Sequence, residues 1–136
     1  MLTGSNEIVQ GNEHAHQCTL LNWFAAQYPT LRNYLFAIPN GAMLCDLPPH
    51  KRLSRMNYLI SEGFKKGVSD LFLAVPAGPY HGLWLEMKAP GKTQSSLSDE
   101  QLNHITDMRR MGYQAHWASG FERAHDIISE YLALRG

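Results

Sequence analysis

The sequence has little cysteine, no long apolar run and no excess of charge of either sign. Its two cysteines, Cys18 and Cys45, are too few for a disulfide framework, and no C-x-x-C pair occurs. We therefore expect both thiols to be reduced, as they are inside cells. No apolar stretch approaches the roughly 18 residues of a membrane-spanning helix, and residues 1–16 lack the basic and apolar regions of a secretory signal. These absences predict a cytoplasmic protein that does not bind membranes.

Charge is balanced over the whole chain but not along it. The 12 Lys and Arg residues match the 12 Asp and Glu residues, so the net charge indicates neither a nucleic-acid partner nor an acidic one. Residues 51–66, however, carry five basic side chains and a single acidic one. DNA phosphates favour such a patch, although a solvated helix face explains the stretch when it is taken alone. The DNA-binding candidates are Lys51, Arg52, Arg55, Lys65 and Lys66.

The length and the apolar content predict one folded domain. With 136 residues, of which 44% are apolar, the chain has the size of a single domain of roughly 100–150 residues and enough apolar surface for a core. Residues 1–11 are polar and contain two glycines, so we expect a flexible arm there, followed by the domain over residues 12–136.

The pattern of apolar residues and turn signals predicts eight elements in the order α-β-α-β-β-α-β-α. The predicted helices span 12–27, 50–62, 98–111 and 121–134, and the predicted strands span 34–38, 70–75, 82–88 and 113–118. The short connector between the second and third strands favours an antiparallel hairpin. The order predicts an α/β domain with three layers, in which helices flank a central four-stranded mixed sheet.

The strand 82–88 carries two charged side chains on one face. Side chains alternate along a strand, so Trp84, Glu86 and Lys88 share a face. The carboxylate and the ammonium group lie roughly 6.5–7 Å apart along the strand. Burying such charges costs free energy unless they are paired or bound to a metal. An ion pair on an edge strand is the alternative explanation.

The partner strand of the hairpin adds a second carboxylate. If the hairpin is centred near Pro79, Asp70 lies opposite Lys88 and diagonal to Glu86, and a register shift of two residues keeps all three on one face. Two converging carboxylates repel each other unless a cation lies between them, and oxygen ligands suit Mg²⁺ or Mn²⁺. A nearby lysine would then orient or deprotonate water, or stabilise charge on a phosphate. The pattern fits metal-assisted hydrolysis of a phosphodiester.

Two further polar features have more than one interpretation. Glu13 continues the core-facing stripe of the first helix, which is unusual for a carboxylate, but a glutamate in a first turn also suits the helix dipole. The spacing of His14, His16 and Cys18 suggests part of a zinc site, yet no second pair of ligands has metal-binding spacing. Gln101 is explained by the Ser98–Gln101 capping box alone.

Five motifs in this order resemble the VRR-NUC family of the PD-(D/E)xK nuclease superfamily, most closely its short phage and bacterial members. They are Glu13 with Gln17, Pro39-Asn40-Gly41, the segment Gly67 to Phe72 (GVSDLF), Glu86-Met87-Lys88, and Leu97-Ser98 with Gln101. The resemblance covers residues 12 to 134. It implies the restriction-endonuclease-like fold. One departure is visible, since Ser69 stands where the family usually has proline.

The resemblance also implies roles for particular residues. Asp70 and Glu86 would bind a divalent metal, Mg²⁺ or Mn²⁺, together with the Met87 backbone carbonyl, and Glu13 would help to form the metal site. Lys88 would be the catalytic lysine. In the same comparison, Gln101 matches a motif glutamine at the active site, and Asn40 of the turn motif joins the DNA-binding candidates.

In activity, the resemblance implies a structure-selective DNA endonuclease that cuts branched DNA such as four-way junctions and acts as a homodimer. The aromatic residues Phe72, Tyr80, Trp84 and Trp117 and the loop 76–82 are candidates for a dimer interface, although they would also fill the core of a monomer. Two alternatives stay open: a DNA-binding or accessory module that does not cleave, and a restriction-type enzyme with sequence-specific cutting. The absence of a separate target-reading domain argues against the latter.

Overall fold

The computed structural model describes residues 12–39, 44 and 46–136. The predicted arm over residues 1–11 and the DNA-binding candidate Asn40 lie outside the described residues. In the described ranges no helix has the length and the apolar character needed to cross a membrane.

The eight predicted elements all form, in the predicted order. The helices are α1 (Glu13–Gln27), α2 (Pro49–Ser61), α3 (Asp99–Arg110) and α4 (Phe121–Ala133), and the strands are β1 (Leu35–Ala37), β2 (Leu71–Leu73), β3 (Leu83–Lys88) and β4 (Gln114–Ser119). Two 3₁₀ turns, Arg32–Tyr34 and Gln94–Ser96, precede β1 and α3. The predicted bounds differ from these by at most two residues at either end of an element.

The four strands form one mixed sheet in the order β1-β2-β3-β4. β1 pairs with β2 and β2 with β3 in the antiparallel direction, whereas β3 and β4 run parallel. The predicted antiparallel hairpin between β2 and β3 is therefore confirmed, and so is the mixed sheet.

The register of that hairpin corrects one prediction. Leu71 pairs with Leu85, so the hairpin is centred on residue 78 and not on residue 79. Continuing this register places Asp70 opposite Glu86 and not opposite Lys88, a shift of two residues. The turn is centred on Gly78, whose backbone has a φ of 55°, a conformation that glycine adopts readily. A shift of two keeps the carboxylates and Lys88 on one face.

The core lies between the sheet and the pair of helices α1 and α4. The leucines of β2 and β3 pack there against the apolar stripes of both helices. The largest fully buried core side chains are Leu20, Phe24, Leu71, Leu73, Leu83, Leu85, Met87, Ile128 and Tyr131. α3 packs on β3 and β4, on the face that carries Trp84 and Glu86, so the domain has the three layers that the sequence predicts.

Helix α2 does not pack on the core. None of its residues is buried, and Leu53 and Ile60 are 70% and 47% exposed. The core cluster contains no residue from α2, because α1 and α4 already cover that face of the sheet. α2 instead contributes Met56 to the wall of a cleft at the end of the sheet.

Candidate active site

Two carboxylates meet where β2 begins and β3 ends. Asp70 immediately precedes β2, and Glu86 lies in β3 opposite it; their exposed fractions are 7% and 2%. The Met87 amide donates a hydrogen bond of 2.8 Å to Oδ2 of Asp70. This bond continues the hairpin ladder with a side-chain oxygen and fixes the aspartate against β3.

The Met87 carbonyl lies on the same side of β3. The N–H and C=O groups of one strand residue point toward the same neighbouring strand, and the Met87 N–H points at Asp70. The carbonyl is therefore directed toward the Asp70 side of β3. This orientation is compatible with the ligand role that the family resemblance implies.

Gln101 joins α3 to the two charged residues of β3. Its side-chain Oε1 accepts hydrogen bonds from the Ser98 amide at 2.9 Å and from Nζ of Lys88 at 3.3 Å. Its Nε2 donates to Oε2 of Glu86 at 3.2 Å. The Gln101 amide in turn donates to Oγ of Ser98 at 3.1 Å, so the predicted capping box is complete. The same side chain thus caps α3 and orients both Glu86 and Lys88.

The five residues whose side chains are predicted to bind metal or take part in catalysis all line one cleft of about 360 Å³. They are Glu13, Asp70, Glu86, Lys88 and Gln101. Glu13 reaches the cleft because α1 begins there, after Asn12 caps the helix by accepting a hydrogen bond of 3.3 Å from the Ala15 amide. Burial and then the Asp70 carboxylate raise the pKa of Glu13, while Lys88 opposes them.

Burial dominates the electrostatics of Glu86. It raises the pKa of Glu86 to about 9, with further contributions from a hydrogen bond to Asp70 and from the charges of Asp70 and Glu13, against an opposing effect of Lys88. With both carboxylates ionised, buried Oε1 of Glu86 has no hydrogen-bond donor among the described residues. A proton between the carboxyl groups relieves this repulsion, and a cation in the same place would do so too.

The donors present fit a hard divalent ion that keeps several waters. In the described part of the chain, no three His, Cys, Asp or Glu side chains are arranged to hold a metal by themselves. Mg²⁺ is commonly bound by only one or two carboxylates, with water and substrate phosphate completing the shell. Asp70, Glu86 and the Met87 carbonyl would supply oxygens of this kind, and Glu13, which lines the same cleft, would help to form the site.

We expect Glu86→Gln to stabilise the metal-free protein at high pH. The pKa of Glu86 in the folded state lies above its ordinary value of 4.5. Protonation of Glu86 therefore stabilises the fold fully below pH 4.5, and this stabilisation is lost as the pH rises toward 9. Glutamine keeps a hydrogen-bond donor for Asp70 and never ionises. In EDTA at pH 8, the melting temperature of the variant should exceed that of wild type by roughly 3–6 °C, and the two should converge near pH 5.

Glu122→Gln is the matched control, because Glu122 is exposed in the first turn of α4. Its melting temperature should follow that of wild type at every pH. A residual decrease with pH should persist in Glu86→Gln, since Glu13 also has a raised pKa. If the wild-type protein in EDTA melts at the same temperature at pH 5 and pH 8, the proposed repulsion between the Asp70 and Glu86 carboxylates is absent.

The predicted DNA-binding residues border the cleft on one side. Lys65 and Lys66 line the cleft itself, together with Gly67. Gly67 has a φ of 85°, and a side chain there would collide with the backbone of Glu100, so this glycine allows the lysine segment to pack against the start of α3. Lys51 and Arg55 line a neighbouring groove on α2. Nε of Arg52 donates a hydrogen bond of 2.9 Å to the Leu47 carbonyl.

His104 is a site neighbour that the sequence analysis missed. Ser69, which replaces the usual proline, is fully buried. Its amide donates to Nδ1 of His104 at 3.4 Å, and its hydroxyl lies 3.1 Å from the same atom. Burial lowers the pKa of His104, which favours the neutral acceptor. A proline has neither donor, so the serine adds a link between α3 and the segment before Asp70. The three-residue spacing of Gln101 and His104 on one helix face is the signal that was available.

The two histidines of α1 contact other groups of the protein. Nδ1 of His16 accepts a hydrogen bond of 2.9 Å from the Phe121 amide and thereby joins α1 to the start of α4. Nε2 of His14 lies 3.5 Å from Sγ of Cys18 within the same helix. Nε2 of His16 is buried and has no hydrogen-bond partner among the described residues, so the Phe121 contact accounts for only one of its two ring nitrogens.

Comparison with known proteins agrees with this geometry. The model of the VRR-NUC domain matches residues 12–122, which include every residue that lines the cleft. The chain belongs to the VRR-NUC family. The resemblance that the motifs predict is therefore confirmed, and with it a nuclease-type family.

A solved structure of another VRR-NUC domain protein supports both the family and the fold. It is 25% identical to this chain and has a TM-score of 0.74, and the match covers 90% of this chain and 88% of the other. No curated protein matches the sequence. The restriction-endonuclease-like α/β fold expected for a VRR-NUC domain is thus confirmed.

Proposed function

We propose that this VRR-NUC domain is a DNA endonuclease that depends on Mg²⁺ or Mn²⁺ and hydrolyses phosphodiester bonds in branched DNA. The observation that carries the proposal is the cleft in which buried Asp70 and Glu86 face each other beside Lys88. A bound divalent ion supplies positive charge that polarises a phosphate oxygen and lowers the pKa of bound water. The remaining groups of the cleft position the reactants.

Lys88 and Gln101 do this positioning in the proposed reaction. Nζ of Lys88 is held 3.3 Å from Oε1 of Gln101 and so remains at the wall of the cleft, where its N–H groups donate to the attacking water or to a phosphate oxygen. The Gln101 amide holds Oε2 of Glu86 in one orientation. Glu13 lines the same cleft, where its carboxylate would contact water or the bound ion. Preorganised groups of this kind need no rearrangement during the reaction.

DNA is the proposed substrate because basic residues continue from the cleft. Lys65 and Lys66 lie at its wall, and Lys51 and Arg55 lie along the adjoining groove of about 590 Å³. A phosphate chain that enters the cleft would pass these side chains. The nuclease family gives independent support for a nucleic-acid substrate.

The preference for branched DNA and the homodimer are proposed together. Two symmetric nicks in a four-way junction need two sites, and a two-fold dimer supplies them. A cluster of aromatic side chains offers an interface: the Phe72 and Trp84 rings lie 4.3 Å apart, and Phe36 at the cluster's edge is 42% exposed. Tyr80, by contrast, packs on buried Tyr131 at 6.5 Å. Sedimentation of the intact chain should give twice the mass of 15.4 kDa; a monomer that still makes paired cuts in a junction contradicts the dimer.

Cleavage of labelled DNA of different shapes tests the function. Four-way junctions, flaps, splayed arms and linear duplexes are incubated with the protein in Mg²⁺, in Mn²⁺ or in EDTA. We expect cutting of the junction, slower cutting of the linear duplex, and none in EDTA. Binding without cutting would indicate an accessory module instead, and cutting of linear duplex at one sequence would indicate a restriction-type enzyme.

The α2 cations should contribute to binding but not to chemistry. We expect the triple variant Lys51→Ala, Arg52→Ala and Arg55→Ala to bind every DNA shape more weakly. The slope of log affinity against log salt should decrease by about 0.9 for each lost contact with duplex phosphate. Fluorescence anisotropy over a salt series measures this slope. A slope equal to that of wild type would place the DNA path elsewhere on the surface. Circular dichroism checks that α2 still folds, because Arg52 also bonds to Leu47.

A further inference from the structure

A second basic pocket lies beside β4, the last strand of the described sheet, and shares no lining residue with the cleft. It has a volume of about 270 Å³ and is lined by Arg109, His116, Trp117, Ser119 and Arg123. In the described sheet β4 is the last strand, so one of its edges is not paired with another described strand. His116 and Trp117 are consecutive in β4 and project to opposite faces. The pocket therefore straddles this outer edge of the sheet.

The two arginines reach the pocket from helices on opposite faces. Arg109 lies in the last turn of α3, and Arg123 lies in the first turn of α4. Nε of Arg109 donates a hydrogen bond of 2.9 Å to the Ala115 carbonyl, which anchors the guanidinium to β4. The terminal NH groups of Arg109 donate no hydrogen bond in the part of the chain that the structure describes, and they therefore remain available for a ligand. An anchored guanidinium loses little side-chain entropy when it binds an anion.

The charge of the pocket is not balanced by its own residues. None of the five lining residues is acidic. Within residues 12–39, 44 and 46–136, neither Arg109 nor Arg123 has a carboxylate within 4.0 Å, whereas the adjacent Arg110 pairs with Asp107 at 3.9 Å. Two guanidinium groups beside one small pocket repel each other unless an anion lies between them.

His116 separates the two arginines and does not add to their charge. Burial, and after it the charges of Arg109 and Arg123, lower the pKa of His116, while Glu130 opposes this effect. Both guanidinium groups are thus close enough to act on the imidazole. The neutral ring lies 3.1 Å from Oε1 of Gln114, with one ring nitrogen as the donor. The positive charge of the pocket therefore comes from the arginines alone.

The pocket is one strand away from the catalytic cleft. In the parallel register of β3 and β4, Ser119 pairs with Lys88 and Trp117 pairs with Glu86. Neighbouring strands lie about 4.8 Å apart, and Arg109 is anchored at Ala115, which pairs with Trp84, four residues before Lys88. A phosphate held by Arg109 would therefore be offset from one at Lys88 by about 13 Å along the strands and by about two strand widths across them. One DNA molecule can span this distance, since each strand carries a phosphate for about every 3.4 Å of helix axis.

We propose that Arg109 and Arg123 bind a backbone phosphate of the DNA substrate at the outer edge of β4. The proposal rests on the nuclease function proposed above and extends its DNA path across the end of the sheet. Arginine suits this task because its planar fork donates two hydrogen bonds to a phosphate. The contact is independent of base sequence and would fix the register of the DNA relative to Lys88.

A charge-matched pair of double variants tests the site. Arg109→Gln with Arg123→Gln removes two charges from the pocket, and Arg110→Gln with Arg135→Gln removes two exposed charges from the same helix end and from the chain beyond α4. Binding of a labelled duplex is measured by anisotropy in EDTA over a salt series. The pocket variant should lose about 0.9 from the salt slope, the value for one duplex phosphate, beyond any change in the control. In Mg²⁺, KM should rise while kcat is retained.

A second variant guards against loss of structure. Arg109 also holds the Ala115 carbonyl, so its substitution removes a contact with β4. No hydrogen bond from the Arg123 side chain is found among the described residues, so Arg123→Gln alone should fold. Its slope of log affinity against log salt should still be lower than that of Arg135→Gln. Equal slopes in pocket and control variants would overturn the proposal. It is also overturned if the pocket variants lose only binding of inorganic phosphate, or if they change only the sedimenting mass, which would indicate an interface between copies. Wild type that binds no DNA refutes the proposed nuclease function as well.

Discussion

Asp70→Asn should slow the cleavage of branched DNA by about a thousandfold, because metal assistance is worth several kcal/mol and each 1.36 kcal/mol is tenfold in rate. The substitution removes one negative charge but keeps an oxygen that can accept the hydrogen bond from the Met87 amide. The strand geometry should therefore survive while affinity for the divalent ion falls. Single-turnover cleavage of a labelled four-way junction, with the metal concentration varied, measures the loss.

Asp126→Asn is the control for this prediction. Asp126 is exposed on α4, and among the described residues its carboxylate contacts the neighbouring imidazole of His125 at 3.0 Å. The control should cut at the wild-type rate. Glu86→Gln should be as inactive as Asp70→Asn although it stabilises the metal-free protein, and this combination separates a catalytic defect from a folding defect. Wild-type cutting by Asp70→Asn would exclude the proposed metal site.

Lys88→Ala should lower the cleavage rate by about a hundredfold or more, while the protein still binds the divalent ion. Its ammonium group contacts Gln101 and faces the cleft, where it can stabilise charge on the phosphate or position water. Retained metal binding should be visible as an increase in melting temperature on addition of Mg²⁺. The rate is measured with enzyme in excess over DNA, so that weaker binding does not disguise the chemical step.

Lys92→Ala provides the matched loss of charge, since Lys92 is exposed in the turn after β3. It should cut normally. Lys88→Arg keeps the charge but changes its geometry, and a partial rate between those of wild type and Lys88→Ala would indicate electrostatic stabilisation. If Lys88→Ala cuts as fast as Lys92→Ala, Lys88 is only an ion-pair partner for the carboxylates.

The sequence predicts the arrangement of strands and the composition of the cleft because both depend on local patterns. Alternation along β3 places Glu86 and Lys88 on one face whatever the register, and this holds in the structure. The register itself was mispredicted by two residues because it depends on the backbone conformation at Gly78, which composition does not specify. The error leaves Asp70 on the correct face but moves it from Lys88 to Glu86.

Two other features depend on tertiary contacts that local patterns do not contain. The apolar side of α2 fits a helix packed on a core, yet Leu53 is 70% exposed because other helices already cover the sheet. The link from Ser69 to His104 joins residues 35 positions apart. Residues at such a separation become neighbours only once α3 has packed on β3. Helical spacing places His104 on the same face as Gln101, but it does not identify Ser69 as its partner.

The double use of Gln101 makes activity sensitive to fraying of a single helix turn. Its side chain cannot leave Ser98 without also releasing Lys88 and Glu86. Local opening of the first turn of α3 therefore releases the two charged residues of the candidate active site, even when the rest of the domain stays folded. Amide hydrogen exchange at Gln101, whose N–H is held by Ser98, reports the frequency of this opening. The fraction of catalytically competent molecules should decline with that protection as temperature rises, well before global unfolding.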